Sequence, residues 1–166
     1  IIVSKLDALV NNILTSTSAG VGNLIAESDK EKILKTYWEL MAIRFWIAGV
    51  LIFALYHLIQ PFISLWLGKE YLLSNSVLIL VLISFFLGII RGTNDQFILG
   101  CGLFSDVWAP FAEAMILISV AILGGKVWGF EGVLLGGIVS TILGIYIWKP
   151  YYLFKKGFKT PLWKYW

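Results

Sequence analysis

Between Phe45 and Leu67 the chain runs FWIAGVLIFALYHLIQPFISLWL, 23 residues without Asp, Glu, Lys or Arg. As an α-helix rising about 1.5 Å per residue, this run reaches roughly 35 Å, enough to cross a bilayer. In hydrocarbon every backbone N–H and C=O must pair within the protein, so the other apolar stretches read as membrane helices and the polar ones as connectors. The pattern predicts helices over about 6–26, 42–67, 76–100, 108–123 and 132–148, then a basic, aromatic tail over 149–166. The first segment is polar for a membrane helix, since Asn11, Asn12, Thr15, Ser16, Thr17, Ser18 and Asn23 interrupt it, and it is expected to face protein or a wet cavity. The third is apolar from Ser76 through Ile90 and then passes Arg91, Asn94, Asp95 and Gln96 on the way to Gly100. Connectors fall at Gly68-Lys69-Glu70, at 100–106, and at Gly124-Gly125-Lys126 with Gly129. The expected fold is all-α: a polytopic transmembrane bundle of about five helices, one membrane domain over 1–166.

Composition supports the same solvent. Hydrophobic residues make up 59% of the chain and charged residues 14%, with 8 Trp and a mean hydropathy of +0.86; a soluble domain carries about 25% charged residues. The basic residues mark one side. Lys30, Lys32, Lys35 and Arg44 precede the second segment and five lysines follow the fifth, whereas the alternate connectors hold only Lys69 and Lys126. The positive-inside rule therefore places 27–39 and 149–166 in the cytoplasm. The 100–106 connector belongs to that side and has no Lys or Arg, so it argues neither way. Trp46, Trp66, Tyr71, Trp108, Trp128, Tyr146 and Trp148 fall near segment ends, the headgroup level that amphipathic rings prefer. In the tail, lysines alternate with Trp148, Tyr151, Tyr152, Phe154, Phe158 and Trp163, which reads as a membrane-surface segment rather than a nucleic-acid-binding one. EKILK at 31–35 reads as a solvated juxtamembrane helix. The absence of an initiating Met at Ile1, and an end at Trp166 directly after the basic stretch, suggest a piece of a longer membrane protein.

Candidate chemistry is sparse. One cysteine, Cys101, permits no intrachain disulfide or zinc cluster, and beside Gly100 and Gly102 it reads as a packing residue. A Gly-rich phosphate loop, HExxH and GxSxG are missing, so no catalytic constellation, metal site or cofactor is expected. Gly132, Gly136, Ser140 and Gly144 recur every four residues, a stripe along which another helix backbone can approach closely; Gly88 and Gly92 form a shorter one. Arg91 and Asp95, one helical turn apart, have two readings: a neutralised structural pair, or Arg91 holding an anionic substrate group while Asp95 or Glu113 couples to a cation or proton. Glu113, five residues after Trp108, is also near enough to the end of its segment to reach the interface. His57, three residues before Gln60 and four before Pro61, reads as a hydrogen-bonded residue on a protein-facing surface of a kinked helix rather than as a proton relay.

Four stretches, SAGVGNLIAESDKEKILK at 18–35, PFISLWLGKEYLLSNSVLIL at 61–80, GLFSDVWAPFAEAMILIS at 102–119 and WGFEGVLLGGIVST at 128–141, carry a resemblance. In their order they resemble bacterial polysaccharide flippases, the O-antigen and capsule exporters of the multidrug/oligosaccharidyl-lipid/polysaccharide superfamily. The resemblance implies 12 to 14 helices in two lobes around a cationic cavity, of which this chain would be about one lobe lacking its first helix. It implies alternating-access transfer of undecaprenyl-pyrophosphate-linked oligosaccharide across the bacterial inner membrane. Under that likeness Arg91 holds pyrophosphate, and Asn11, Asn12, Thr15, Asn23, His57 and Asn94 are candidate cavity-lining positions. The partners would be the bilayer, the lipid-linked oligosaccharide, the remaining helices, and a glycan polymerase with a chain-length regulator. A drug/cation antiporter of the same superfamily, a membrane enzyme of glycan assembly and a structural subunit remain as alternatives.

Overall fold

The computed structural model describes residues 2–27, 29–105 and 107–160. Trp163 and Lys164 of the expected tail, and Ser28 and Asp106 of the connectors, lie outside the described residues. The fold is all-helical: α1 (Ile2–Thr15), α2 (Ser18–Ala26), α3 (Lys30–Trp66), α4 (Asn75–Gly100), α5 (Trp108–Trp128), α6 (Phe130–Thr141) and α7 (Lys149–Tyr152). π-Helical stretches at Ile142–Trp148 and Leu153–Phe158 continue α6 and α7 without a break in the helical run. Four runs, Lys30–Trp66, Asn75–Gly100, Trp108–Trp128 and Phe130–Phe158, are long and apolar enough to span a membrane.

The expected first helix is interrupted at Ser16 and Thr17. Three successive hydroxyls turn back onto the preceding helix: Thr15 Oγ1 donates to the Asn11 carbonyl at 2.6 Å, Ser16 Oγ to Ile13 at 2.6 Å and Thr17 Oγ1 to Leu14 at 2.7 Å. Such back-bonding competes with the helical ladder. Gln96 on α4 fixes the interruption by donating from Nε2 to the Leu14 carbonyl at 2.8 Å.

α3 starts twelve residues before the expected 42. Asp29 caps it, its Oδ1 accepting from the Glu31 and Lys32 backbone N–H groups at 3.1 and 3.2 Å. The helix then runs 37 residues, roughly 55 Å and longer than the hydrocarbon layer. EKILK is helical, as its juxtamembrane reading expected, but it is not solvated all round: Ile33 and Tyr37, one turn apart, are buried against Phe97, Phe154 and Phe158. The tail differs in the same way. Beyond Trp148 the helical run continues to Phe158 because Leu153, Phe154 and Phe158 turn into this cluster, and Tyr152 is buried against Trp148, while Lys155 and Lys156 stay exposed. Those rings are core rather than membrane-surface residues.

α5 likewise outruns its expected end at 123. Gly124, Gly125 and Lys126 belong to the helix, and only Gly129, at φ 60°, makes the turn into α6. α5 and α6 form an antiparallel hairpin. A Cβ on Gly132 would lie 2.0 Å from the Gly124 carbonyl oxygen, and one on Gly136 would lie 2.7 Å from the Ala121 nitrogen. Only minimal side chains permit this approach. Ser140 is buried on the same helix and donates to the Gly137 carbonyl at 2.9 Å.

The apolar interior falls into two clusters. One gathers Val10, Ala48, Leu55, Ile59, Ile63, Leu82, Phe85 and Ile89 from α1, α3 and α4. The other joins α2, the start of α3, the end of α4 and the run after α6 around Tyr37, whose ring meets Phe97, Phe154 and Phe158 edge-on at 5.2, 5.7 and 5.5 Å. Between them lies a layer of buried polar side chains: Arg44, Thr93, Asn94 and Gln96. The outer surface is apolar, with Trp46, Phe53, Leu65, Phe111, Met115 and Leu123 all exposed, as a lipid-facing exterior requires.

Candidate functional site

α4 places Arg91 and Asp95 on one face, and the α5–α6 hairpin brings two further charges to them. Arg91 Nε donates to Asp95 Oδ2 at 3.2 Å, while its Nη1 and Nη2 donate to Glu113 Oε1 and Oε2 at 2.9 and 3.4 Å. Lys149, directly after the π-helical stretch, donates from Nζ to Asp95 Oδ1. Two cations and two carboxylates thus form one chain, Glu113–Arg91–Asp95–Lys149, with no net formal charge. A Cβ on Gly144 would lie 3.3 Å from Glu113 Cδ, so this member of the small-residue stripe leaves room for the carboxylate as well as for a helix. The fork geometry between Arg91 and Glu113 is the strong, orienting form of an ion pair. In lipid the network is self-consistent, because each charge has an opposite one within reach.

Beside the network lies a cleft of about 360 Å³ between the end of α4, the first turns of α5 and the π-helical stretch after α6. Asp95, Glu113 and Lys149 form its polar end; Ile98, Leu103, Phe104, Ile116 and Leu143 are among its apolar walls. The Trp108 and Trp148 rings, centroids 4.5 Å apart, stand at the same level. Ser105 Oγ and Tyr152 Oη share a hydrogen bond of 2.6 Å nearby.

The other candidate residues are elsewhere. Asn11 donates to Asp7 Oδ1 at 3.1 Å and accepts from Arg44 Nη1 at 3.2 Å. Asn12, Thr15 and Asn23 are exposed on α1 and α2. Asn94 is fully buried and its Oδ1 accepts from Tyr37 Oη at 2.7 Å. His57 is exposed on the outer face of α3, its ring against Phe53 and Tyr56 with centroids at 4.7 and 5.2 Å, so the protein-facing position expected for it is not what this chain shows. Cys101 is half-buried, its Sγ 3.1 Å from where a Cβ on Gly157 would sit, and burial pushes its thiol above the usual range; both observations describe a packing residue. Among the described residues no three His, Cys, Asp or Glu side chains are grouped to hold a metal ion.

Arg44 is the residue that sequence reasoning placed differently. Counted among the flanking positive charges, it is 2% exposed. Its Nη1 donates to the Ile89 carbonyl at 3.0 Å as well as to Asn11, and Nη2 has no hydrogen-bond partner. Gly92 makes the space: a Cβ there would fall 2.3 Å from Arg44 Nη1. The sequence signal available was the pairing of an arginine at the edge of an apolar run with a glycine inside another, which does not identify the partners.

Fold and surface together define a multi-pass helical membrane protein with an ionised network inside its span. Comparisons with protein-family models, with curated proteins and with solved structures found no match.

Proposed function

We propose that this chain is part of a transporter that moves lipid-linked oligosaccharide, carried on undecaprenyl pyrophosphate, across the bacterial inner membrane by alternating access. The observation that carries the reading is the network joining α4, α5 and the run after α6. Ionisable residues within membrane helices are rare and costly, and they collect along substrate or ion pathways. Arg91 is the candidate pyrophosphate ligand. Its three donor nitrogens are engaged by Asp95 and Glu113, so an anion would have to displace carboxylates to reach it. That exchange gives the network two arrangements, which a transport cycle needs. The exposed polar positions Asn12, Thr15 and Asn23 on α1 and α2 would meet sugars only after a remaining lobe encloses them, with the tightly packed α5–α6 hairpin moving as a rigid unit. The localisation that goes with this reading is the inner membrane, with 27–39 and 149–166 on the cytoplasmic side. The test is Arg91→Ala in the full-length protein with surface polysaccharide as readout. Loss of export at normal protein level is expected; normal export removes Arg91 from the mechanism.

A second reading, a drug/cation antiporter, draws on Asp95 and Glu113 as the polar end of an apolar cleft. It predicts that Glu113→Gln abolishes drug resistance and leaves surface glycan unchanged.

A further inference from the structure

The cleft beside the network has a shape and a charge balance that the export reading does not use. It is a slot with apolar walls and ions at one end only. Phe104, Val107 and Trp108 on its lining are each more than half exposed, so its mouth opens on the surface that faces lipid. A slot of this form fits one hydrocarbon chain with a polar head at its charged end.

The charges decide which head. Arg91 and Lys149 balance Asp95 and Glu113. Behind them stand one further charge of each sign, Arg44 and Asp7, bridged by Asn11, and Arg44 also acts on Asp95. A head with net charge would leave one unit uncompensated in a medium of low dielectric, whereas a head carrying both signs can exchange ion pairs one for one. Signs alternate along the network, so a group that is negative at one end and positive at the other can enter it without leaving any charge alone.

We infer that this cleft binds a zwitterionic phospholipid of the ethanolamine class. One acyl chain lies along Ile98, Ile116 and Leu143, the phosphate accepts from Lys149 Nζ, and the primary ammonium donates to Asp95 or Glu113. A choline head has the same charges but no N–H to donate, so it binds less well. The inference does not depend on what the protein transports.

The experiment uses the full-length protein, stripped of lipid in detergent and offered equal amounts of phosphatidylethanolamine, phosphatidylcholine and phosphatidylglycerol, with retained lipid read by native mass spectrometry. Phosphatidylethanolamine is expected to be retained roughly tenfold over phosphatidylglycerol, equivalent to about 1.4 kcal/mol, and over phosphatidylcholine as well. Asp95→Asn makes the network net positive and should turn the preference toward phosphatidylglycerol. Ala112→Trp, at a half-buried position on the cleft wall, fills the slot and should lower retention of all three lipids while the thermal midpoint holds. Equal retention of the ethanolamine and glycerol lipids by the unsubstituted protein overturns the zwitterion assignment. Undiminished retention by Ala112→Trp overturns the cleft as its place.

Discussion

Two arginines at similar depth in the bundle are held by opposite means. Arg91 is about a third exposed and has carboxylates on every donor nitrogen it uses. Arg44 is sealed between α1, α3 and α4, meets only a backbone carbonyl and an amide oxygen, and leaves Nη2 unpaired. The difference shows that a charge in a membrane bundle can be satisfied either by a counter-charge or by dipoles and shape. The first way stays open to exchange, because a ligand ion can replace a carboxylate. The second is closed, because Arg44 fits only the gap that Gly92 leaves. On the export reading proposed above, exchange with a ligand belongs with Arg91, whereas Arg44 is a closed, packed residue.

Substitutions that exchange the two conditions test this contrast. Gly92→Val should be the most damaging, since its first carbon would already stand 2.3 Å from Arg44 Nη1; a loss of about 3–5 kcal/mol is expected, read as a fall in thermal midpoint of the purified full-length protein. Arg91→Met leaves Glu113 without its fork partner and should cost about 1–3 kcal/mol after allowance for solvent screening. Adding Glu113→Leu should recover part of that loss, and no recovery would mean the two do not act as a pair. Tyr37→Phe removes the hydroxyl that donates to the buried Asn94 Oδ1, a loss of about 1 kcal/mol measurable by the same melt. Arg44→Met, which removes a cation that has no carboxylate bonded to it, should change stability by less than about 1 kcal/mol. If Arg44→Met proves costlier than Arg91→Met, the dipoles and shape around Arg44 stabilise the bundle more than the carboxylates around Arg91 do.

How far these features were legible depends on whether their causes were local. α4 was read to within a residue of its start because its apolar run is uninterrupted, and the structure adds the cap, Ser74 Oγ accepting from the Val77 N–H at 3.3 Å. Arg91 and Asp95 were read as partners because one helical turn separates them. Elsewhere local signs misled. Gly124 and Gly125 look like breakers in a chain read alone, yet against Gly132 and Val133 they allow two helices to touch. The charges of 30–35 suggested a solvated helix, yet Ile33 and Tyr37 on it face inward. Glu113 was legible as an ionisable residue near a segment end and Lys149 only as one of the tail lysines, and their convergence on Arg91 and Asp95 required the hairpin to close.

What the sequence determined by itself is the solvent and the material: long uncharged runs that only helices can carry through hydrocarbon, and a handful of ionised groups that cannot face it. The tertiary structure decided which of those groups meet. Lys149 reaches Asp95 across 54 positions of chain and Arg44 reaches Ile89 across 45, and no periodicity encodes such distances. They follow from how closely the helices approach, which is set by glycine contacts between segments. Hydropathy is a property of each segment alone, whereas pairing is a property of two segments packed together.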